Sequence, residues 1–123
     1  MQQIFYVFIG GGIGSVLRYL IGLKLNNTTL PYGTLLANIV GSLLIGFVMS
    51  YHLKTTNQAL TNHQLAFIVI GLFGGFTTFS SFMYENMQFL IQEQYLRFLG
   101  YVSFSLLIGF LAVFIGFILG KQI

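Results

Sequence analysis

The side chains able to do chemistry in this chain are few and unevenly placed. The densest group lies in Gly71-Leu72-Phe73-Gly74-Gly75-Phe76-Thr77-Thr78-Phe79-Ser80-Ser81-Phe82. It holds four hydroxyls, with Phe79 and Phe82 about one helical turn apart. A second group centres on Asn38, which shares an i, i+3, i+4, i+7 pattern with Gly41, Ser42 and Ile45, so all four fall on one helical face. Tyr101 and Ser105 are four apart and also share a face. Arg18 stands within Gly14-Ser15-Val16-Leu17-Arg18-Tyr19. Aspartate is absent, and the only carboxylates are Glu85 and Glu93. Hydroxyls and an amide donate hydrogen bonds, a phenyl edge carries the positive end of the ring quadrupole, and arginine draws negative charge. Such a set suits an anion. With no cysteine, disulfides, thiolate zinc sites and cysteine nucleophiles are excluded.

These side chains need elements to position them, and composition says what kind. Hydrophobic residues make up 56% of the 123, against five Lys or Arg and two Glu. A soluble domain carries about a quarter charged residues, so the solvent for most of this surface is lipid. The few cations are scattered, which argues against a nucleic-acid partner. A spanning helix needs about 20 apolar residues, and the chain offers four such stretches, at about 4–23, 33–51, 65–90 and 98–120. The expected fold is all-α, a single transmembrane domain over 1–123. The first stretch lacks a basic leader region and is too long for a signal peptide. Pro31, the only proline, marks a turn or a helix start.

Fifteen glycines fit close helix packing in lipid, where small residues let backbones approach. Gly10-x-x-x-Gly14, Gly71-x-x-x-Gly75 and Gly116-x-x-x-Gly120 have the spacing, as do Ser42-x-x-x-Gly46 and Ser105-x-x-x-Gly109. Gly74-Gly75 followed by Thr77-Thr78 makes a poor helix interior, which predicts a break near the middle of the third span. A break at that depth frees backbone carbonyls, which then need protein, water or a cation. Taken singly, each amide and hydroxyl is also accounted for as glue between helices, and the phenylalanines as lipid-facing bulk. Arg18 either snorkels to the interface or draws anions into a vestibule. The role of Glu85, at a pore mouth or against a neighbouring subunit, stays open.

Three runs resemble the Fluc (CrcB) fluoride channels: Gly10-Gly11-Gly12-Ile13-Gly14-Ser15-Val16-Leu17-Arg18-Tyr19, Gly33-Thr34-Leu35-x-x-Asn38-x-x-Gly41, and Gly74 to Phe82. The resemblance covers essentially the whole chain; Ser81 stands where threonine is expected and keeps the hydroxyl. It implies a channel and not an enzyme, built as an antiparallel, dual-topology homodimer with two pores. Fluoride would leave the cell passively through the inner (plasma) membrane, relieving its toxicity. It implies pore residues Asn38, Phe79, Phe82, Thr78 and Ser81, and less sharply Tyr101 and Ser105, with Arg18 in a vestibule. It also implies a structural Na⁺ at the dimer centre, on the backbone carbonyls of Gly74 and Thr77.

Charge placement bears on topology independently. Orientation follows Lys and Arg near span ends. With four spans, Lys54 and Lys121 share one side, while Lys24 and Arg97, with Arg18 somewhat inside, share the other. This balance favours neither orientation. A small dual-topology exporter of another solute is the alternative, but that class relies on an acid in its first helix and this first helix has none. A structural subunit of a larger complex would leave the third-span cluster unexplained.

Overall fold

A computed structural model describes residues 1–27, 29–54 and 59–123. Thr28 and part of the second polar connection, Asn57 included, lie outside the described residues. Helix α1 spans Gln2–Leu25 and α2 spans Tyr32–Lys54. The third span begins as α3 (Asn62–Leu65), continues as a π-helical stretch (Ala66–Phe73) and ends its first half with α4 (Gly74–Phe76). After a break its second half is α5 (Ser80–Ile91), and α6 (Tyr95–Gln122) completes the chain. Four stretches are long and apolar enough to cross a membrane: Gln2–Leu25, Tyr32–Lys54, Asn62–Ile91 and Tyr95–Gln122. At 24 residues, α1 is about 36 Å long at 1.5 Å per residue, enough for a hydrocarbon core of about 30 Å.

Polar residues set the span ends. The Asn26 Oδ1 accepts from the Gly33 and Thr34 amides at 2.7 and 3.1 Å, so the end of α1 caps the start of α2. Pro31 precedes α2 directly, and its carbonyl accepts from the Leu35 amide at 3.1 Å. Thr61 and Gln64 form a reciprocal capping box at the start of α3. Glu93 turns the chain between α5 and α6 with φ 56°, and the Gln94 amide donates to the Phe89 carbonyl at 2.8 Å.

Small residues decide which helices touch. The stripe Gly10–Gly14 of α1 meets Gly71–Gly75 of the third span backbone to backbone. A Cβ on Gly14 would collide with the Leu72 carbonyl and lie 2.7 Å from the Phe76 nitrogen. On the other side, α2 and α6 pair extensively. There a Cβ on Gly46 would strike the Val113 carbonyl, and one on Gly116 the Leu43 carbonyl. Gly109 has open space around it, so the Ser105-x-x-x-Gly109 spacing does no such work within this protomer. Most remaining large apolar side chains face outward, as lipid solvation demands.

Candidate ion pathway at the third-span break

The break falls at Thr77–Thr78. Gly74 and Gly75, expected to cause it, are still helical, and the chain becomes extended only at Thr77 (φ −85°, ψ 158°). Gly75 serves the contact with α1, where a Cβ would strike the Gly11 carbonyl, while the β-branched threonines leave the helix. Asn38 from α2 then holds the loose strand. Its Nδ2 donates to the Thr78 carbonyl at 3.0 Å, and its Oδ1 accepts from the Thr78 amide at 2.8 Å. One side chain thereby satisfies both backbone groups of a residue that has left the helix.

Beyond the break the hydroxyls organise the next half-helix. Thr78 Oγ1 accepts from the Ser81 amide at 3.2 Å and contacts the Ser81 Oγ at 3.2 Å and the Ser80 Oγ at 3.4 Å. These groups sit at the N-terminus of α5, where the helix dipole presents partial positive charge. Phe79 stands just ahead of α5 and is 70% exposed, whereas Phe82 is buried on the protomer's own core. Their ring centroids are 6.2 Å apart, and Phe82 packs on Tyr101 at 5.1 Å.

Asn38, Ser42, Thr78, Phe79, Phe82 and Ser105 share one open groove of about 520 Å³. Gly74 and Thr77 reach the same groove. The Ser105 Oγ is buried and has no hydrogen-bond partner among the described residues, which leaves its donor unspent. Ser81 and Tyr101 do not line this groove. Ser81 lines a smaller cavity of about 250 Å³ with Arg18, Asn26, Thr34 and Glu85. Thr78 of the groove and Ser81 of the smaller cavity are linked by their hydroxyl contact.

Tyr101 has a different task from that expected of a pore hydroxyl. It is buried, and its hydroxyl donates to Glu85 Oε2 at 2.8 Å. Thr34 Oγ1 donates to Glu85 Oε1 at 2.5 Å. Both carboxylate oxygens of Glu85 are thus engaged within the protomer, which ties α2, α5 and α6 together beside the smaller cavity. Arg18 makes no ion pair with Glu85 among the described residues; its Nε donates to the Gly75 carbonyl at 3.1 Å. Sequence reasoning missed three polar residues here. Thr34 lies four before Asn38 on the same face, a signal that was readable. Asn26 acts only through the turn. Asn86 is buried, with its Nδ2 donating to the Phe82 carbonyl at 2.8 Å.

Donors at a half-helix N-terminus, carbonyls at a half-helix C-terminus and a groove in four apolar spans make an ion pathway the natural comparison. Residues 5–117 match the family described as CrcB-like protein, Camphor Resistance (CrcB). The chain belongs to this family. It is 44% identical to a fluoride-specific ion channel FluC of Flavobacterium psychrophilum over the full length of both chains. It is 43% identical to the protein of that name from Gloeothece citriformis, covering 99% of each. The protein of that name from Aquifex aeolicus is 36% identical, again over the full length of both. This CrcB-family chain therefore carries the break, the clamp by Asn38 and the exposed Phe79 as features of a membrane-spanning, all-helical protein.

Proposed function

We propose that this chain is a fluoride-selective channel that lets fluoride leave the cell passively across the inner membrane. The observation that carries the reading is the groove at the break. There the N-terminus of α5, the Thr78 and Ser105 hydroxyls and the exposed Phe79 lie together among apolar spans. Fluoride is small and holds its water tightly, so a pathway must replace water's hydrogen bonds with donors of moderate strength. Hydroxyls and ring edges do so without trapping the ion as a buried ammonium would. With both oxygens of Glu85 held by Thr34 and Tyr101, that carboxylate is not poised to exchange a proton for a cation. This speaks against a coupled exporter.

A single protomer leaves the groove open to lipid, and a second copy in the opposite orientation would close it. The charge balance supports this: Lys54 Nζ donates to the Lys121 carbonyl at 2.7 Å, so two lysines cluster at one membrane end, against Lys24 and Arg97 at the other. With Arg18 somewhat inside α1, the count is two against two or three, and neither orientation is clearly favoured. With the native chain free of cysteine, Asn62→Cys gives one exposed label site at a span end. A membrane-impermeant thiol reagent applied to spheroplasts is expected to label about half the molecules, and the rest only after permeabilisation. Labelling confined to one side contradicts the antiparallel assembly.

Na⁺ fits the residues present. Among the described residues no hydrogen bond reaches the Gly74 or the Thr77 carbonyl, and both residues line the groove. Unpaired carbonyls at membrane depth are costly, and a hard cation takes oxygen ligands. Gly74 and Thr77 would hold the ion, which would offset the negative end of the first half-helix. The function itself is tested by growth. In a bacterial strain deleted for its own fluoride export, expression of this chain is expected to restore growth in millimolar fluoride. Continued arrest, with the protein present in the membrane, contradicts the reading.

A further inference from the structure

The first half of the third span ends at Phe76, so its last carbonyls lose their helical partners. The Phe73 carbonyl is taken by the Thr77 amide at 3.0 Å and the Thr77 hydroxyl at 2.9 Å. The Gly75 carbonyl accepts from another helix, from the Arg18 Nε at 3.1 Å. Between these two lies the Gly74 carbonyl, which nothing engages among the described residues. Arg18 reaches this point because of the glycine contact. Gly11, Gly14 and Arg18 follow i, i+3, i+7 on α1 and share a face. A Cβ on Gly75 would strike the Gly11 carbonyl. The arginine stem therefore runs along the third span and delivers its Nε–H sideways onto the end of the half-helix.

We propose that Arg18 is a positioning residue: through its Nε–H, and not through its charge, it closes the end of α4 and fixes the direction of the neighbouring Gly74 and Thr77 carbonyls. Side-chain length separates the two roles. Counted from Cα, the donor nitrogen of arginine is the fourth atom, and glutamine places Nε2 at the same remove. Lysine keeps the charge but has a methylene there, with its ammonium one atom further out. A positioning role predicts that Arg18→Gln preserves the break and Arg18→Lys does not. A vestibule role resting on charge predicts the reverse order.

The inference rests on the break framing the ion pathway, and its readouts need no flux. Arg18 and Arg97 are the only arginines. In the Arg97→Lys protein, purified in micelles, the one arginine Nε–H signal belongs to Arg18. Its exchange with water is expected to be slowed at least ~10-fold relative to an exposed arginine, as a donor held on a carbonyl requires. Exchange at the exposed rate overturns the proposal, and this measurement leaves Arg18 in place, so it stands even where variants fail to fold. Amide exchange over 73–79, followed by mass spectrometry, is expected to stay within ~3-fold of the parent in Arg18→Gln and to quicken ~10-fold in Arg18→Lys. The opposite order, or no change in either variant, overturns it. A protected break in a protein that does not conduct fluoride would fault the channel reading and leave the role of Arg18 standing.

Discussion

Phe79→Ile is expected to lower fluoride flux by up to ~10-fold while the protein stays folded. The ring is 70% exposed and stands at the groove just ahead of α5. Isoleucine keeps the apolar bulk there and removes the edge, whose interactions are worth ~0.5–1.5 kcal/mol in favourable geometry, or about two- to tenfold. Little intraprotomer packing is lost at so exposed a position. Phe82→Ile is expected to lower flux at least as far, for two reasons. It removes a second edge, and it disturbs a buried ring packed on Tyr101. Size-exclusion profile and helical content separate those two causes for Phe82. Normal flux in the folded Phe79→Ile protein means that the ring is packing and that its edge plays no part.

The other large effect is expected from the cation. Removing Na⁺ from both sides of the membrane, with a bulky organic cation in its place, is expected to reduce flux ~10-fold or more. The Gly74 and Thr77 carbonyls would then be left unpaired at membrane depth. Thr77→Ser is expected to be nearly silent, because serine keeps the carbonyl and the hydroxyl that donates to Phe73. What serine loses is the methyl that fills the space beside Gly41. Full flux without Na⁺ on either side, in protein shown free of the ion, removes the structural role.

The sequence made the four spans plain, because an apolar run of span length has few other uses. Each observed span runs one to three residues further at each end than hydropathy placed it, since caps such as Asn26 and Thr61 and not apolar composition fix the boundaries. The break was legible as a conflict between helix propensity and location. Its position was not. Gly74 and Gly75 read as helix breakers, yet both stay helical, Gly75 packed against the Gly11 backbone, and the break falls at Thr77–Thr78. Asn38 was readable as a buried amide that needs a partner. That its partner is the Thr78 peptide depends on packing between α2 and the third span. The same holds for Tyr101, whose hydroxyl is committed to Glu85. Spacing along one helix reveals a shared face and stays silent on which helix that face meets.

The central claim is passive, selective fluoride conduction, and it is met most directly by purified protein in sealed liposomes. Vesicles loaded with potassium fluoride or potassium chloride are diluted into an anion-poor medium, and valinomycin is added to release the potassium. External fluoride and chloride are followed with ion-selective electrodes. Rapid fluoride release on adding valinomycin, independent of any proton gradient and with chloride retained, is the predicted result. Equal release of both anions, no fluoride release, or release that requires an imposed proton gradient would contradict it.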